Sequence, residues 1–205
     1  DIAGAYAQAP RRKDIEAPEA FTSDEKLPDM GMQTHGEYTL YAHFLYLKSL
    51  IGNAEKWRFF LDQDSGMRAA CLAAFKDEIL ERKADAFFVS INKDLTVDQK
   101  RSRKGRAKKE FDEAAAQMPG AAKEDVILAL IKDRLATMVP IGKWRDRWLS
   151  HPLPDMGEPE KAIAYLTDFG DYDPDHLAWL YNKVSLHSAD SYFMQIRRRV
   201  KSLER

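Results

Sequence analysis

Apolar residues recur along the chain with two different periods, and the changes of period divide it into elements. Tyr41, Phe44, Leu47, Leu50 and Ile51 follow one another at three- and four-residue steps, which predicts a helix over Tyr38 to Ile51, ended by Gly52-Asn53. Trp57-Arg58-Phe59-Phe60-Leu61 is a short aromatic run that stops at Asp62-Gln63-Asp64-Ser65-Gly66, the pattern of a strand entering a turn. Cys71, Leu72, Phe75 and Ile79 mark the face of a second helix, and Ala86 to Ile91 is a second strand rich in β-formers. Helix, strand, helix, strand in that order implies a parallel pair joined by a crossover helix, and hence an α/β fold.

After Asn92 the texture changes. Thr96 to Gln117 is a highly charged helix-like stretch broken by Pro119-Gly120, and Lys123 to Met138 carries Val126, Ile127, Leu130, Ile131 and Leu135 on one face. Residues 141–160 hold Trp144 and Trp148 among prolines. Lys161 to Phe169 then reads as a strand, Pro174 to Tyr181 as a short helix and Ser188 to Glu204 as the last helix. With Pro10, Pro18, Pro28, Gly31 and Gly36 near the start, four segments result. Residues 1–37 are loop-rich, 38–93 form the first part of the core, 94–160 are a mainly helical basic insertion, and 161–205 return to the core.

Composition adds little until it is read locally. The chain has 205 residues, 44% of them hydrophobic, and a net charge of -1 from 32 basic and 33 acidic side chains, so it belongs with globular rather than disordered chains. No apolar run approaches the roughly 18 residues of a membrane span and no signal-peptide pattern opens the chain, which predicts a cytoplasmic protein with no membrane partner. Cys71 stands alone, so neither an internal disulfide nor a cysteine zinc cluster is available, and a metal would be held by carboxylates or imidazoles. The five histidines lack metal-ligand spacing, and no phosphate-binding or dinucleotide glycine motif is present.

Locally the charge is strongly patterned. Lys100, Arg101, Arg103, Lys104, Arg106, Lys108 and Lys109 form a run without an acid, and Arg197, Arg198 and Arg199 begin a second. Such density suits sequence-independent contact with DNA phosphates, although a solvated helix face has the same appearance. Trp144 and Trp148, with Lys143, Arg145 and Arg147 between and beside them, could stack on unpaired bases or pack in a core.

Two acids stand out. Asp62 ends a strand directly before a helix, where α/β folds place ligand groups, so it suits a metal-binding carboxylate as well as a helix cap. Asp190 opens the last helix with Arg197 seven residues on, two turns along the same face. That face can offer a carboxylate to a metal and a guanidinium to a phosphate, or simply complement the helix dipole.

These residues carry a resemblance. HGEYTLYAHFLYLKSLIGNAEKWRFFLDQDSGMRAACLAAF at His35 to Phe75, ADAFFVSINKDLT at Ala84 to Thr96 and SLHSADSYFMQIRRRVKSLER at Ser185 to Arg205 resemble bacterial insertion-sequence transposases. The resemblance implies an α/β ribonuclease H-like core, incomplete at its N-terminus and interrupted by the helical insertion, with three acids binding two magnesium (or manganese) ions. Asp62 corresponds to the second acid. Asp190 corresponds to the third, with Asp in place of the usual Glu, and Arg197 to the basic residue that follows it. The first acid is then Asp1 or a residue upstream. The implied activity is metal-dependent DNA cleavage and strand transfer by a homo-oligomer on transposon ends and target, in the bacterial nucleoid. The alternatives are a transposase-derived DNA-binding or assembly protein without catalysis, and a metal-dependent nuclease.

Overall fold

The structure, a computed structural model, describes residues 36–92, 94–142 and 144–200. The loop-rich start of the chain, Asp1 with it, and the end of the last predicted helix lie outside the described residues.

Helix α1 (Gly36–Ile51) and strands β1 (Trp57–Asp62) and β2 (Ala84–Ser90) form where the periodicities predict them. The two strands pair in parallel, from Trp57 opposite Ala84 to Asp62 opposite Val89. The second helix differs from expectation. It is two helices, α2 (Ser65–Ala74) and α3 (Lys76–Leu80), separated at Phe75, whose φ of -109° and ψ of 24° leave the helical region. The Phe75 ring is fully buried, 4.5 Å from the Phe59 ring, 5.7 Å from Trp57 and 6.4 Å from Phe44, centroid to centroid. Filling that aromatic knot outweighs the regularity of one helical residue.

The basic stretch is α4 (Val97–Gln117), opened by a capping box in which Thr96 and Gln99 bond each other's backbone N–H. Next come α5 (Lys123–Thr137), β3 (Pro140–Ile141), β4 (Asp146–Ser150), β5 (Ala162–Tyr165), α6 (Pro174–Lys183) and α7 (His187–Arg199). The strands form one mixed sheet in the order β1-β2-β5-β4-β3, in which every pairing after β1-β2 is antiparallel.

Helices cover both faces of the sheet. On one, Phe87, Val89, Ile163 and Leu149 pack with Ile131 of α5 and with Ala178, Leu180 and Tyr181 of α6. On the other, Trp57, Leu61, Ala86, Phe88 and Ala164 meet Cys71, Ala74, Phe75 and Ile79, with Phe44 of α1 against them. The segment 94–160 is therefore mainly helical, yet it is no appended arm, because Ile131 and Leu149 belong to the same core as Phe87 and β4 extends the same sheet. Strand β4 went unforeseen because Trp148 and Leu149 point to opposite faces and both faces are covered, which erases the polar alternation of a half-buried strand.

Candidate functional site

Asp62 is the last residue of β1 and is exposed, with one carboxylate oxygen accepting from the N–H of Gln63 at 2.9 Å. The helix cap is provided by Asp64, whose Oδ1 accepts from Met67 N–H at 2.9 Å. Capping therefore makes no demand on Asp62. Asp190 sits in the first turn of α7 and lines a cavity of about 480 Å³ together with Arg197, His187, Phe193, Met194 and Gly157. The expected alignment of Asp190 with Arg197 is present, and neither makes an ion pair with a described side chain.

The start of α7 is attached to the sheet by a residue that sequence reasoning missed. Leu186, at the N-cap position, has no side-chain cap of its own. Glu158 fills that role from another segment: its Oε1 accepts from Ser185 Oγ at 2.6 Å, from Leu186 N–H at 2.7 Å and from His187 N–H at 3.1 Å. Its Oε2 pairs with Lys161 Nζ at 2.9 Å, and that ammonium donates to the Val184 carbonyl at 3.0 Å. Both side chains are more than nine-tenths buried. Burial alone would raise the Glu158 pKa, but the hydrogen bond from Ser185 and the pairing with Lys161 hold it below the ordinary carboxylate value. Glu158 and Lys161 lie three residues apart in a proline-rich loop with no periodicity, so nothing in the pattern singled them out.

Register fixes where this lies. Lys161 directly precedes Ala162, which pairs with Ser90, and Val89 pairs with Asp62. The finish of β1, the finish of β2 and the start of α7 thus share one end of the sheet. Asp62 is nevertheless not among the residues lining the Asp190 cavity, and no group of three or more His, Cys, Asp or Glu among the described residues could hold a metal ion. The described residues offer carboxylates whose hard oxygens suit magnesium, but not a complete ligand set.

Charges gather at the same end. Arg103 pairs with Glu160, which also accepts from Asn92 at 2.9 Å, so the first half of α4 is tied there. Ala107 is the buried contact of that helix. Arg101 pairs with Asp98 and Lys109 with Glu113, whereas Lys100, Lys104, Arg106 and Lys108 have no ion pair among the described residues, and neither do Arg198 and Arg199 in the last turn of α7.

The two tryptophans part company. Trp148 is stacked near Phe88, 6.4 Å between centroids at 13°, and belongs to the core. Trp144 is 63% exposed at the tip of the β3-β4 hairpin, where Gly142 turns the chain with a φ of 74°. Its ring lies 4.9 Å from the Arg68 guanidinium, which bonds Asp146 at 2.6 Å. Trp144 and Arg68 line a cavity of about 300 Å³ with Gln63 and Asp64, the residues directly following Asp62.

His151 is buried beside Lys161, whose carbonyl accepts from its N–H at 2.8 Å; its Nδ1 accepts from Leu153 N–H at 3.2 Å and its Nε2 is without a hydrogen-bond partner. Burial, helped by the Lys161 charge, lowers its pKa to about 4.

No protein-family model, no curated protein and no solved structure matches the chain.

Proposed function

We propose that the chain is the catalytic region of a metal-dependent DNA strand-transfer enzyme of the insertion-sequence transposase type, with a ribonuclease H-like core. The α1-β1-α2-β2 order with its parallel pair is compatible with such a core, and the three antiparallel strands extend the sheet beyond β2. The observation that carries the reading is that an Asp62 free of capping duty lies at the same end of the sheet as the α7 start with Asp190, and that Asp190 shares a cavity with Arg197 from the last turn of that helix. Asp62 and Asp190 would hold magnesium or manganese together with the first acid, expected at Asp1 or upstream. The ion supplies positive charge to the attacking and leaving oxygens of phosphoryl transfer. Arg197 orients a phosphate, and Lys100 to Lys109 with Arg198 and Arg199 hold the DNA backbone. The exposed Trp144 ring beside the Asp62 turn suits an unpaired base of a cut end. Transposon ends and target DNA are the substrates, and the chain acts on them as a homo-oligomer.

A second reading, a transposase-derived DNA-binding or assembly protein, is motivated by the first acid, which lies outside the described residues. One experiment separates them. The protein expressed from its complete reading frame is incubated with labelled DNA and magnesium. The catalytic reading expects cutting, its loss in both Asp62→Asn and Asp190→Asn, and DNA affinity in these variants within a few-fold of wild type. Salt-sensitive binding without cutting supports the second reading. Undiminished cutting by Asp62→Asn removes that residue from the site, and cut products that are never joined indicate a nuclease.

A further inference from the structure

We infer that Glu158, clasped to Lys161, is a positioning residue that sets the direction of α7 and with it the placement of Asp190 and Arg197; this rests on the reading of α7 as the catalytic helix. The helix cannot hold itself in place. It buries none of its residues, and Tyr192, Phe193 and Met194 are exposed. Its connection to the fold is the segment before it, where Val184 and Leu186 are buried, together with the Glu158 carboxylate.

A helix start leaves backbone N–H groups without intrahelical partners, and a carboxylate there answers both the missing acceptors and the positive end of the dipole. In α7 that carboxylate arrives from outside the helix, so the bonds that cap it also dock it. Lys161 completes the arrangement: its charge balances the buried carboxylate, and its second bond, to the Val184 carbonyl, fixes the chain two residues before the N-cap. The distance along the helix makes the anchor matter for chemistry. Asp190 stands one turn beyond Leu186, bonded back to it through Asp190 N–H to Leu186 O at 3.0 Å, and a tilt at the clasp displaces it directly.

The test compares wild type, Glu158→Gln, Glu158→Gln/Lys161→Met and Ser185→Ala, reading amide hydrogen exchange, DNA affinity and magnesium-dependent cutting. The expected result is that Glu158→Gln speeds exchange at Leu186, His187 and Asp190 at least tenfold with β1 and β2 amides unchanged. It should also lower kcat for cutting at least tenfold with Kd for DNA within twofold. The double variant should recover part of both losses, because the glutamine carbonyl still accepts from Leu186 and His187 and no lone ammonium remains buried. Ser185→Ala, which removes the bond to Glu158 and the one Ser185 Oγ accepts from His187 N–H but leaves the ion pair, should loosen the same amides by less, and it carries the test if Glu158→Gln does not fold. Unchanged exchange in α7 overturns the clasp. Loosened α7 with unchanged kcat overturns its role in positioning, as does an equal loss of protection in β1 and β2. If wild-type protein cuts no DNA, the catalytic reading of α7 falls, and exchange alone then decides whether Glu158 anchors the helix.

Discussion

The sheet carries a buried carboxylate at each end, and the two are used differently. At the end where β1 and β2 begin, Asp85 accepts from Tyr165 Oη at 2.8 Å and Tyr172 Oη at 3.1 Å and pairs with Lys56 at 3.0 Å and Arg58 at 3.7 Å. Lys56 goes on to bond Tyr172 Oη and the Arg82 carbonyl, each at 2.7 Å, and the Arg58 guanidinium lies over Trp179. These partners are side chains of strands and loops that the core already holds, so Asp85 welds together what is packed anyway. Glu158, at the other end, accepts from two backbone N–H groups at the start of a helix that buries nothing, besides Ser185 Oγ and Lys161 Nζ. The contrast shows that equal burial does not mean an equal role. One carboxylate reinforces the fold, and the other orients a piece of surface that the fold leaves free.

That contrast can be broken in a definite order of effect. Asp85→Ala removes the shared acceptor of the half-buried Lys56 ammonium, the Arg58 guanidinium and two tyrosine hydroxyls, and should cost about 3–5 kcal/mol in a urea unfolding titration, while α7 exchange keeps its wild-type ratio to the core. If Asp85→Ala selectively loosened α7, the two ends would be one network.

Acid should act next, and on the Glu158 end. His151 has a folded pKa of about 4 against an ordinary 6.5, so between those values the unfolded chain binds more protons than the native one. Its contribution is whole above about pH 6.5 and falls away toward pH 4, a loss of about 3 kcal/mol that His151→Asn should flatten in a thermal-melt series across pH. Glu158, whose folded pKa is depressed, adds a further loss as pH drops through that lowered value, below the ordinary carboxylate range. A pH dependence untouched by His151→Asn would show that the buried imidazole is not the sensor.

The smallest stability effect belongs to the basic helix. Replacing Lys104, Arg106, Lys108 and Lys109 with Gln removes side chains that are exposed on α4, so Tm should barely move. DNA affinity should fall for unrelated sequences alike, and the slope of log affinity against log salt should flatten by up to about 0.9 for each phosphate no longer neutralised. An unchanged slope would leave Arg197 to Arg199 as the remaining basic surface for DNA.

Local pattern reaches a long way in this chain. The three-and-four spacing from Tyr41 to Ile51, the aromatic run at Trp57 to Leu61, the charged helical stretch broken by Pro119-Gly120 and the alignment of Asp190 with Arg197 each depend on neighbours within a few residues, and each is present. The sequence left Asp62 as either a metal-binding carboxylate or a helix cap, and the structure gives the cap to Asp64 instead. What the sequence could not express was contact between distant segments. Whether Trp148 stacks in the core while Trp144 faces solvent depends on which strand lies beside β4, because identical rings are buried or exposed according to their neighbours. The same holds for Glu158, whose acidic side chain is ordinary in a loop until tertiary structure brings the Leu186 and His187 amides and the Lys161 ammonium around it. Helical and strand periods are written in short-range order, whereas a buried charge acquires its role only from the groups that folding assembles to satisfy it.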